Sequence, residues 1–148
     1  MNIDIFHQKI SEKELFNLLD YLNDSFIPNL EEQVDLKKYA SKLFKQAYFI
    51  FLKDGEKIIG LIAYYINGKN SFLTSFGIHK SYHNKGLGTI LYSEYINILK
   101  LKNIEKVELE VHADNKKALE FYKKQQFKFS VKDNNIYNAV LSLFIFVK

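Results

Sequence analysis

The chain has 148 residues, 47% of them hydrophobic, no cysteine, and a formal net charge of +4. We expect one domain, residues 1–148, because this length supports a substantial core. The absence of cysteine excludes disulfides, thiolate metal ligands and a cysteine nucleophile, and fits a cytoplasmic location. No run approaches the roughly 20 apolar residues of a membrane helix, so we expect no membrane partner.

The charge pattern argues against a nucleic-acid partner. Every basic residue is a lysine, and the lysines are spread along the sequence. Base readout and bidentate phosphate recognition rely on arginine, whereas scattered lysines are typical of a solvated surface. The spacing of His7, His79 and His112 does not match a metal site, so we expect no metal ion.

The first third of the chain predicts one strand and two helices. Residues 3–7 alternate as a strand does, and Ser11 with Glu14 forms a capping box that opens a helix. This helix is expected to end near Leu22. Apolar residues at helical spacing predict a second helix over residues 34–47.

Three antiparallel strands are expected next. The runs 48–52 and 58–66 flank Asp54-Gly55, a pair typical of tight hairpin turns. Asn67-Gly68 marks a second turn, which leads into a strand that ends at Ile78.

The remaining elements alternate between helix and strand. The patterns predict a helix from Leu87 to about Asn103, a strand at 107–111 and a helix at 115–125. Two strands follow around the turn at 133–135, with the apolar run 139–147 read as a buried strand. The order is βααβββαβαββ. A strand, a crossover helix and a strand imply a parallel pair, so we expect an α/β fold with a mixed, mostly antiparallel central sheet and flanking helices.

A glycine-rich loop opens the helix at residue 87. Its sequence is His83, Asn84, Lys85, Gly86, Leu87, Gly88 and Thr89. The unpaired N–H groups and the dipole of a helix N-terminus make such a loop an anion site. The spacing fits neither the nucleoside-triphosphate loop, where lysine follows glycine, nor the dinucleotide loop, which needs a third glycine.

A second motif follows the strand at 107–111. The sequence Leu109-Glu110-Val111 leads to Asn115, Ala118 and Tyr122. The last three lie at i, i+3 and i+7, so they share one face of the predicted helix. That face can line a cofactor slot.

With the element order, these two motifs resemble the GCN5-related N-acetyltransferase (GNAT) family along nearly the whole chain. The resemblance implies acetyl-CoA as cosubstrate, no metal, and direct transfer to an amine. The residues that it assigns to the cofactor are Phe76, Ile78, His83, Asn84, Lys85, Gly86, Leu87, Gly88, Thr89, Asn115, Ala118 and Tyr122. Asn115 also suits a helix start, where asparagine is favoured without any cofactor.

The resemblance also implies two catalytic residues. Glu110 would take the amine proton, directly or through a water, and Tyr122 would protonate the departing thiolate. An amine with a pKa near 10 needs such a base, and a phenol near ~10 suits a thiol near ~8.5. A backbone N–H near Ile78 would stabilise the oxyanion. The alternatives are that Glu110 belongs to a solvated strand face with Glu108, and that Tyr122 is a core residue.

Two positions depart from the family pattern. His83 stands where the family has glutamine or arginine, which predicts weaker or pH-dependent cofactor binding, since backbone donors do most of the work. Gln126 replaces the glycine before Phe127. If residue 126 is left-handed, a side chain there costs about 1–2 kcal/mol.

The acceptor is expected to contact the segment between the first two strands and the final hairpin. The candidates are Phe26, Pro28, Tyr39 and Tyr137. The Phe-Ile-Pro segment is similar to bacterial members associated with surface-sugar gene clusters, which implies an amino sugar. A peptide or protein amine and a non-catalytic acyl-CoA-binding domain remain open, as does a monomer or a homodimer, since Phe144 and Phe146 suit a dimer sheet or a closed core.

Overall fold

The computed structural model describes residues 1–143, and within them seven strands form one sheet. The strand order is β1-β2-β3-β4-β5-β7-β6. Neighbouring strands are antiparallel except for β4 and β5, which are parallel. The expected mixed, mostly antiparallel sheet is confirmed.

The elements follow the predicted order with one short helix added. The strands are β1 Ile3–Phe6, β2 Tyr48–Asp54, β3 Lys57–Asn67, β4 Asn70–Ile78, β5 Lys106–His112, β6 Lys128–Val131 and β7 Ile136–Ser142. The helices are α1 Glu12–Leu22, α2 Leu30–Gln33, α3 Leu36–Gln46, α4 Leu87–Leu101 and α5 Lys116–Lys124.

Each face of the sheet carries its own apolar core. Helices α1 and α3 cover one face, where Leu19 and Leu43 pack with Phe51. Helices α4 and α5 lie on the other face, where Leu91 and Tyr95 pack with strand residues. We call these the α1/α3 side and the α4/α5 side. A ligand that contacts the sheet therefore lies on either the α1/α3 side or the α4/α5 side.

Local capping decides where the first helices begin. The Ser11 hydroxyl accepts from the Glu14 N–H at 3.1 Å, and a Glu14 carboxylate oxygen accepts from the Ser11 N–H at 3.0 Å, which completes the predicted capping box. Helix α3 begins at Leu36 rather than at residue 34. The reason is that the Asp35 carboxylate caps the helix by accepting from the Lys38 N–H.

The end of α5 closes through a left-handed residue. Gln126 has φ +70°, the Phe127 N–H donates to the Tyr122 carbonyl, and the Gln126 N–H donates to the Lys123 carbonyl. This pair of bonds is the Schellman arrangement, which usually places glycine at the left-handed position. The helix therefore closes as a glycine would close it, with a side chain in a strained conformation.

Replacing Gln126 with glycine should raise the free energy of unfolding by about 1 kcal/mol. The left-handed conformation costs a residue with a Cβ about 1–2 kcal/mol, and the added freedom of glycine in the unfolded chain offsets part of that gain. Urea denaturation measures the change. Gln125 has φ −81°, so Gln125→Gly should lower stability instead. If both variants lose stability alike, Gln126 is not strained.

The last hairpin is described only in part. Strand β7 ends at Ser142, so the predicted strand at 139–147 is confirmed only as far as that residue. Phe144 and Phe146, which were assigned to a dimer sheet or a closed core, lie outside the described residues.

Candidate active site

The parallel pair at the centre of the sheet is short. Strands β4 and β5 pair only at Asn70↔Lys106, Ser71↔Val107 and Phe72↔Glu108. Beyond Phe72 the edge of β4 that faces β5 is unpaired within residues 1–143, so its backbone N–H and C=O groups are available to a ligand. The two strands separate there and leave an opening in the sheet.

A cavity of about 350 Å³ lies between the end of β4, the first turn of α4, and α5. All of the predicted cofactor residues except Lys85 line it, namely Phe76, Ile78, His83, Asn84, Gly86, Leu87, Gly88, Thr89, Asn115, Ala118 and Tyr122. Lys85 belongs to the loop but is exposed outside the lining. The structure thus brings the two sequence motifs together on opposite walls of one cavity.

The first turn of α4 presents free amides to the cavity. Gly86 is the N-cap, with φ +77°, and no side chain caps the helix. The N–H groups of Leu87, Gly88 and Thr89 make no backbone hydrogen bond within residues 1–143. Free amides at a helix start stabilise an anion.

The two glycines of the loop serve different purposes. Gly86 adopts a left-handed conformation, which favours glycine even though a Cβ there would meet open space. At Gly88 a Cβ would lie 3.8 Å from the Phe76 ring, which is ordinary contact. The protein's own packing therefore tolerates a side chain at residue 88, and the absence of one leaves room for a ligand to approach the backbone closely.

His83 and Lys117 fix the geometry of the loop. The His83 Nε2–H donates to the Ile78 carbonyl at 2.6 Å, which ties the loop to the end of β4. The Lys117 ammonium donates to the Asn84 amide oxygen at 3.0 Å, which ties the loop to α5. A lysine in the cavity wall adds a cation near the free amides.

The face of α5 that carries the second motif lines the cavity. The Asn115 side-chain oxygen accepts from the Ala118 N–H at 3.1 Å, so Asn115 caps the helix while it also contacts the cavity. The helix begins at Lys116, one residue later than expected. The expected helix start at Asn115 is present as a cap, while its contact with a cofactor stays a prediction.

Tyr122 is a buried phenol at the cavity wall. Its side chain is 8% exposed, and no hydrogen bond to its hydroxyl is present within residues 1–143. Burial raises the pKa of the Tyr122 phenol, with a smaller contribution from Tyr92. The hydroxyl is consequently protonated at neutral pH and free to donate.

Glu110 lies on the other side of the sheet. Val107, Leu109 and Val111 are buried toward the α4/α5 side, and the Glu110 side chain alternates away from them with 38% exposure. A carboxylate oxygen accepts from the Lys132 ammonium at 2.6 Å, and this bond raises the pKa of Lys132. Glu110 does not line the cavity.

The candidate acceptor residues divide between the two sides. Phe26 and Tyr39 pack on the α1/α3 side, whereas Tyr137 packs with the α4/α5 core next to Phe129. The structure therefore does not bring Tyr137 together with the others. Pro28 lies in the segment after Phe26, where its carbonyl accepts from the Gln33 side chain.

Tyr39 joins a hydroxyl network on β4. Its hydroxyl lies 2.7 Å from the Thr74 hydroxyl and 2.6 Å from the Ser75 hydroxyl. Both side chains reach Tyr39 because a bulge shifts the register of β3 and β4 at this point. Burial raises the pKa of the Tyr39 phenol, so this network is neutral.

Sequence reasoning missed several residues of the cavity wall, namely Ser25, Gly77, Tyr82, Lys117 and Phe121. Lys117 and Phe121 are four residues apart and adjoin the predicted helix face, so a wider helical arc would have included them. Ser25 lies in the segment between α1 and α2, far from the other cavity residues in sequence. No local spacing could therefore indicate that Ser25 lines the cavity.

Residues 1–143 contain no group of three or more histidine, aspartate or glutamate side chains arranged to hold a metal ion. No helix among them is long and apolar enough to cross a membrane.

Solved structures with this fold include several acetyltransferases. The PaiA N-acetyltransferase of Thermoplasma acidophilum, solved in complex with coenzyme A, is 21% identical, with a TM-score of 0.76 over 96% of this chain and 99% of that one. PH1933 of Pyrococcus horikoshii is 24% identical, with a TM-score of 0.82 over 97% and 100%. The ribosomal-protein-S18-alanine N-acetyltransferase of Escherichia coli is 17% identical, with a TM-score of 0.77 over 99% and 97%.

Sequence comparison gives the family. The uncharacterized protein YdhI of Bacillus subtilis is 30% identical over 82 residues, a match that spans 55% of this chain and only half of that relative's length. Residues 15–127 match the sequence profile of the Acetyltransferase (GNAT) family, and this segment contains both the loop and the α5 motif. The chain belongs to the acetyltransferase (GNAT) family.

Proposed function

We propose that this protein, as one domain, transfers the acetyl group of acetyl-CoA directly to the primary amine of a small molecule. The observation that carries the proposal is the single cavity that joins the free amides of α4 to the Tyr122 phenol. The amides suit the pyrophosphate of coenzyme A, and the phenol suits its sulfur. A relative with the same fold was solved in complex with coenzyme A, which supports this cosubstrate.

The pantetheine arm of the cofactor would run between these two ends. Ala118 is the small residue on the facing wall, and the unpaired edge of β4 beyond Phe72 offers backbone groups to an amide-containing chain. Such an arm can pair with the strand edge as another strand would. A backbone N–H near Ile78 then remains the proposed donor to the oxyanion.

The acceptor would arrive from the α1/α3 side. Glu110 faces that side, and β4 and β5 are not paired beyond Phe72 and Glu108, so in this proposal the acceptor amine would reach the thioester between these two strands. In the proposed reaction Glu110 takes a proton from the ammonium, directly or through a water, and the amine nitrogen attacks the thioester carbonyl. The C–N bond forms and the nitrogen releases its second proton to solvent, while the C–S bond breaks and Tyr122 gives its proton to the sulfur.

Replacing Glu110 with glutamine should lower kcat/KM for the amine by about 10²-fold, because glutamine cannot accept the proton. The matched control is Glu108→Gln. Glu108 lies on the same strand face and is paired with Lys106 at 3.2 Å, as Glu110 is paired with Lys132. Steady-state rates of coenzyme A release measure both variants. Equal losses of kcat/KM in the two variants would mean that Glu110 is only a solvated residue of the strand face and not the base.

We propose an amino sugar as the first acceptor to test. The Tyr39, Thr74 and Ser75 hydroxyls are neutral donors and acceptors, which suit a ligand rich in hydroxyls. The lysine excess tolerates a negatively charged sugar derivative. A peptide amine is the alternative, favoured by the fold shared with an enzyme that acetylates a protein alanine.

The experiment is a comparison of three amines at equal concentration with acetyl-CoA. Glucosamine, spermidine and an alanine-initiated peptide represent the sugar, polyamine and peptide classes. Free thiol and the mass of the acetylated amine are both recorded. Transfer to glucosamine supports an amino sugar as the acceptor. Transfer to the peptide alone would show that the acceptor is a peptide amine instead. Binding of acetyl-CoA without transfer to any amine favours a non-catalytic acyl-CoA-binding domain.

A further inference from the structure

Tyr92 of α4 carries a hydroxyl that the fold leaves unsatisfied. The residue is 4% exposed, and its hydroxyl has no hydrogen-bond partner within residues 1–143. A buried hydroxyl without a partner destabilises a protein, and phenylalanine would fill the same space at no such cost. The fold alone therefore gives no reason for a tyrosine at this position, which suggests that the hydroxyl has a function.

Tyr92 lies directly behind the cavity wall. Its ring contacts Phe76 and Phe121, both of which line the cavity, with centroid distances of 6.3 Å and 5.2 Å. Phe121 also contacts Tyr122 at 5.5 Å, and Phe127 contacts both tyrosines, at 6.5 Å from Tyr92 and 5.2 Å from Tyr122. The two tyrosines thus share two ring neighbours.

The two phenols also interact electrostatically. Burial raises the pKa of the Tyr122 phenol most, and Tyr92 adds a smaller increase. This burial creates a chemical difficulty, because a phenol with a raised pKa is a poor donor to a thiolate near ~8.5. A hydrogen bond given to the Tyr122 oxygen would ease the loss of its proton.

We propose that Tyr92 is a positioning residue whose hydroxyl donates a hydrogen bond to the Tyr122 oxygen as Tyr122 protonates the leaving sulfur. This inference rests on the proposed function. The Tyr122 proton moves to sulfur as the C–S bond breaks, negative charge develops on the Tyr122 oxygen, and Tyr92 keeps its own proton. Solvent protonates Tyr122 again after coenzyme A leaves. The two hydroxyls are not hydrogen-bonded to each other in the structure, so they must approach during the reaction.

Tyr95 provides a matched control one turn away. It lies on the same helix and is also buried, but its hydroxyl is 2.6 Å from the Ser71 hydroxyl and is therefore satisfied. Tyr92→Phe should leave the urea midpoint unchanged or raised, whereas Tyr95→Phe should lower it. The two substitutions remove the same atom, so they separate a structural role from a functional one.

The test follows the thiol of bound coenzyme A, which requires no acceptor. Thiolate absorbance is recorded against pH, with desulfo-coenzyme A as the reference for tyrosine absorbance. The bound thiol should ionise more readily in the wild type than in Tyr122→Phe, by about tenfold or more in the ionisation constant. In Tyr92→Phe, the ionisation constant of the bound thiol should fall between the values for the wild type and Tyr122→Phe. In Tyr95→Phe it should equal the wild-type value.

The double variant tests whether Tyr92 acts through Tyr122. Tyr92→Phe combined with Tyr122→Phe should titrate as Tyr122→Phe alone does. A wild-type titration curve in Tyr92→Phe, or additive losses in the double variant, would overturn the proposal for Tyr92 while leaving Tyr122 in place. If Tyr122→Phe itself leaves the titration unchanged, the role of Tyr122 in the proposed function fails, and the role of Tyr92 fails with it.

Discussion

Replacing Tyr122 with phenylalanine should lower kcat for acetyl transfer by about 10²-fold or more, with the Kd for acetyl-CoA within about twofold of wild type. The substitution keeps the ring, which is 8% exposed and packs against Phe121 and Phe127, and removes only the hydroxyl. That hydroxyl makes no hydrogen bond within residues 1–143 that the fold would lose, so the effect should fall on the step that protonates the thiolate.

Tyr82→Phe is the matched control for this prediction. Tyr82 also lines the cavity, but its hydroxyl donates to an Asp54 carboxylate oxygen at 2.7 Å, a bond that raises the pKa of the Tyr82 phenol. Its removal should leave kcat close to wild type. Steady-state rates with the acceptor identified by the amine comparison measure both variants. If Tyr122→Phe has the same kcat as Tyr82→Phe, Tyr122 does not protonate the thiolate.

The second large effect is expected at Gly86. Gly86→Asp should weaken acetyl-CoA binding by about 10²-fold, because a carboxylate would stand beside the free amides where the pyrophosphate binds. The fold should survive. Aspartate is among the residues that tolerate a left-handed conformation and favour the N-cap, and a Cβ at residue 86 meets nothing within 4 Å.

Gly86→Asn separates charge from shape. Asparagine has nearly the same size and the same tolerance of φ +77°, but it carries no charge, so it should keep most of the affinity. The rise in melting temperature at a fixed excess of acetyl-CoA reports affinity for each protein. Equal losses in the two variants would show that Gly86 is needed for space and not for an anion.

Features that depend on neighbours in sequence could be predicted. The capping box of Ser11 and Glu14 forms as expected, because both partners lie within one helical turn. The turns at Gly55 and Gly68 have φ near +60°, as glycine in a tight turn allows. The order of strands, helices and glycines from β4 to α5 also follows from such local signals. Most residues of the candidate cofactor site lie in this part of the chain.

Features that depend on distant contacts could not be predicted. The pairing of Glu110 on β5 with Lys132, just past the end of β6, reaches across β7, which lies between these two strands in the folded sheet. Tyr137 was grouped with Tyr39 because both lie near candidate acceptor segments, yet alternation along β7 sends Tyr137 to the α4/α5 side. The unsatisfied hydroxyl of Tyr92 likewise appears only when the neighbours of its ring are known.

Gln126, an exposed residue just past the end of α5, is a case between these two. The sequence indicates that glycine is missing before Phe127, but only the structure gives its φ of +70° and the bonds that close the helix. A departure from the family pattern therefore did not change the geometry of this helix end. The chain accepts strain in one residue, which is why a gain of stability is expected when that residue becomes glycine.

A calorimetric titration of the wild-type protein with acetyl-CoA measures whether the cavity binds this cosubstrate. The cavity that joins the free amides of α4 to Tyr122 should give saturable binding at one site per chain, and coenzyme A should compete for it. We expect saturable heat of this kind. No saturable binding of either ligand would contradict the assignment of the cavity, and the proposed acetyl transfer would have no donor.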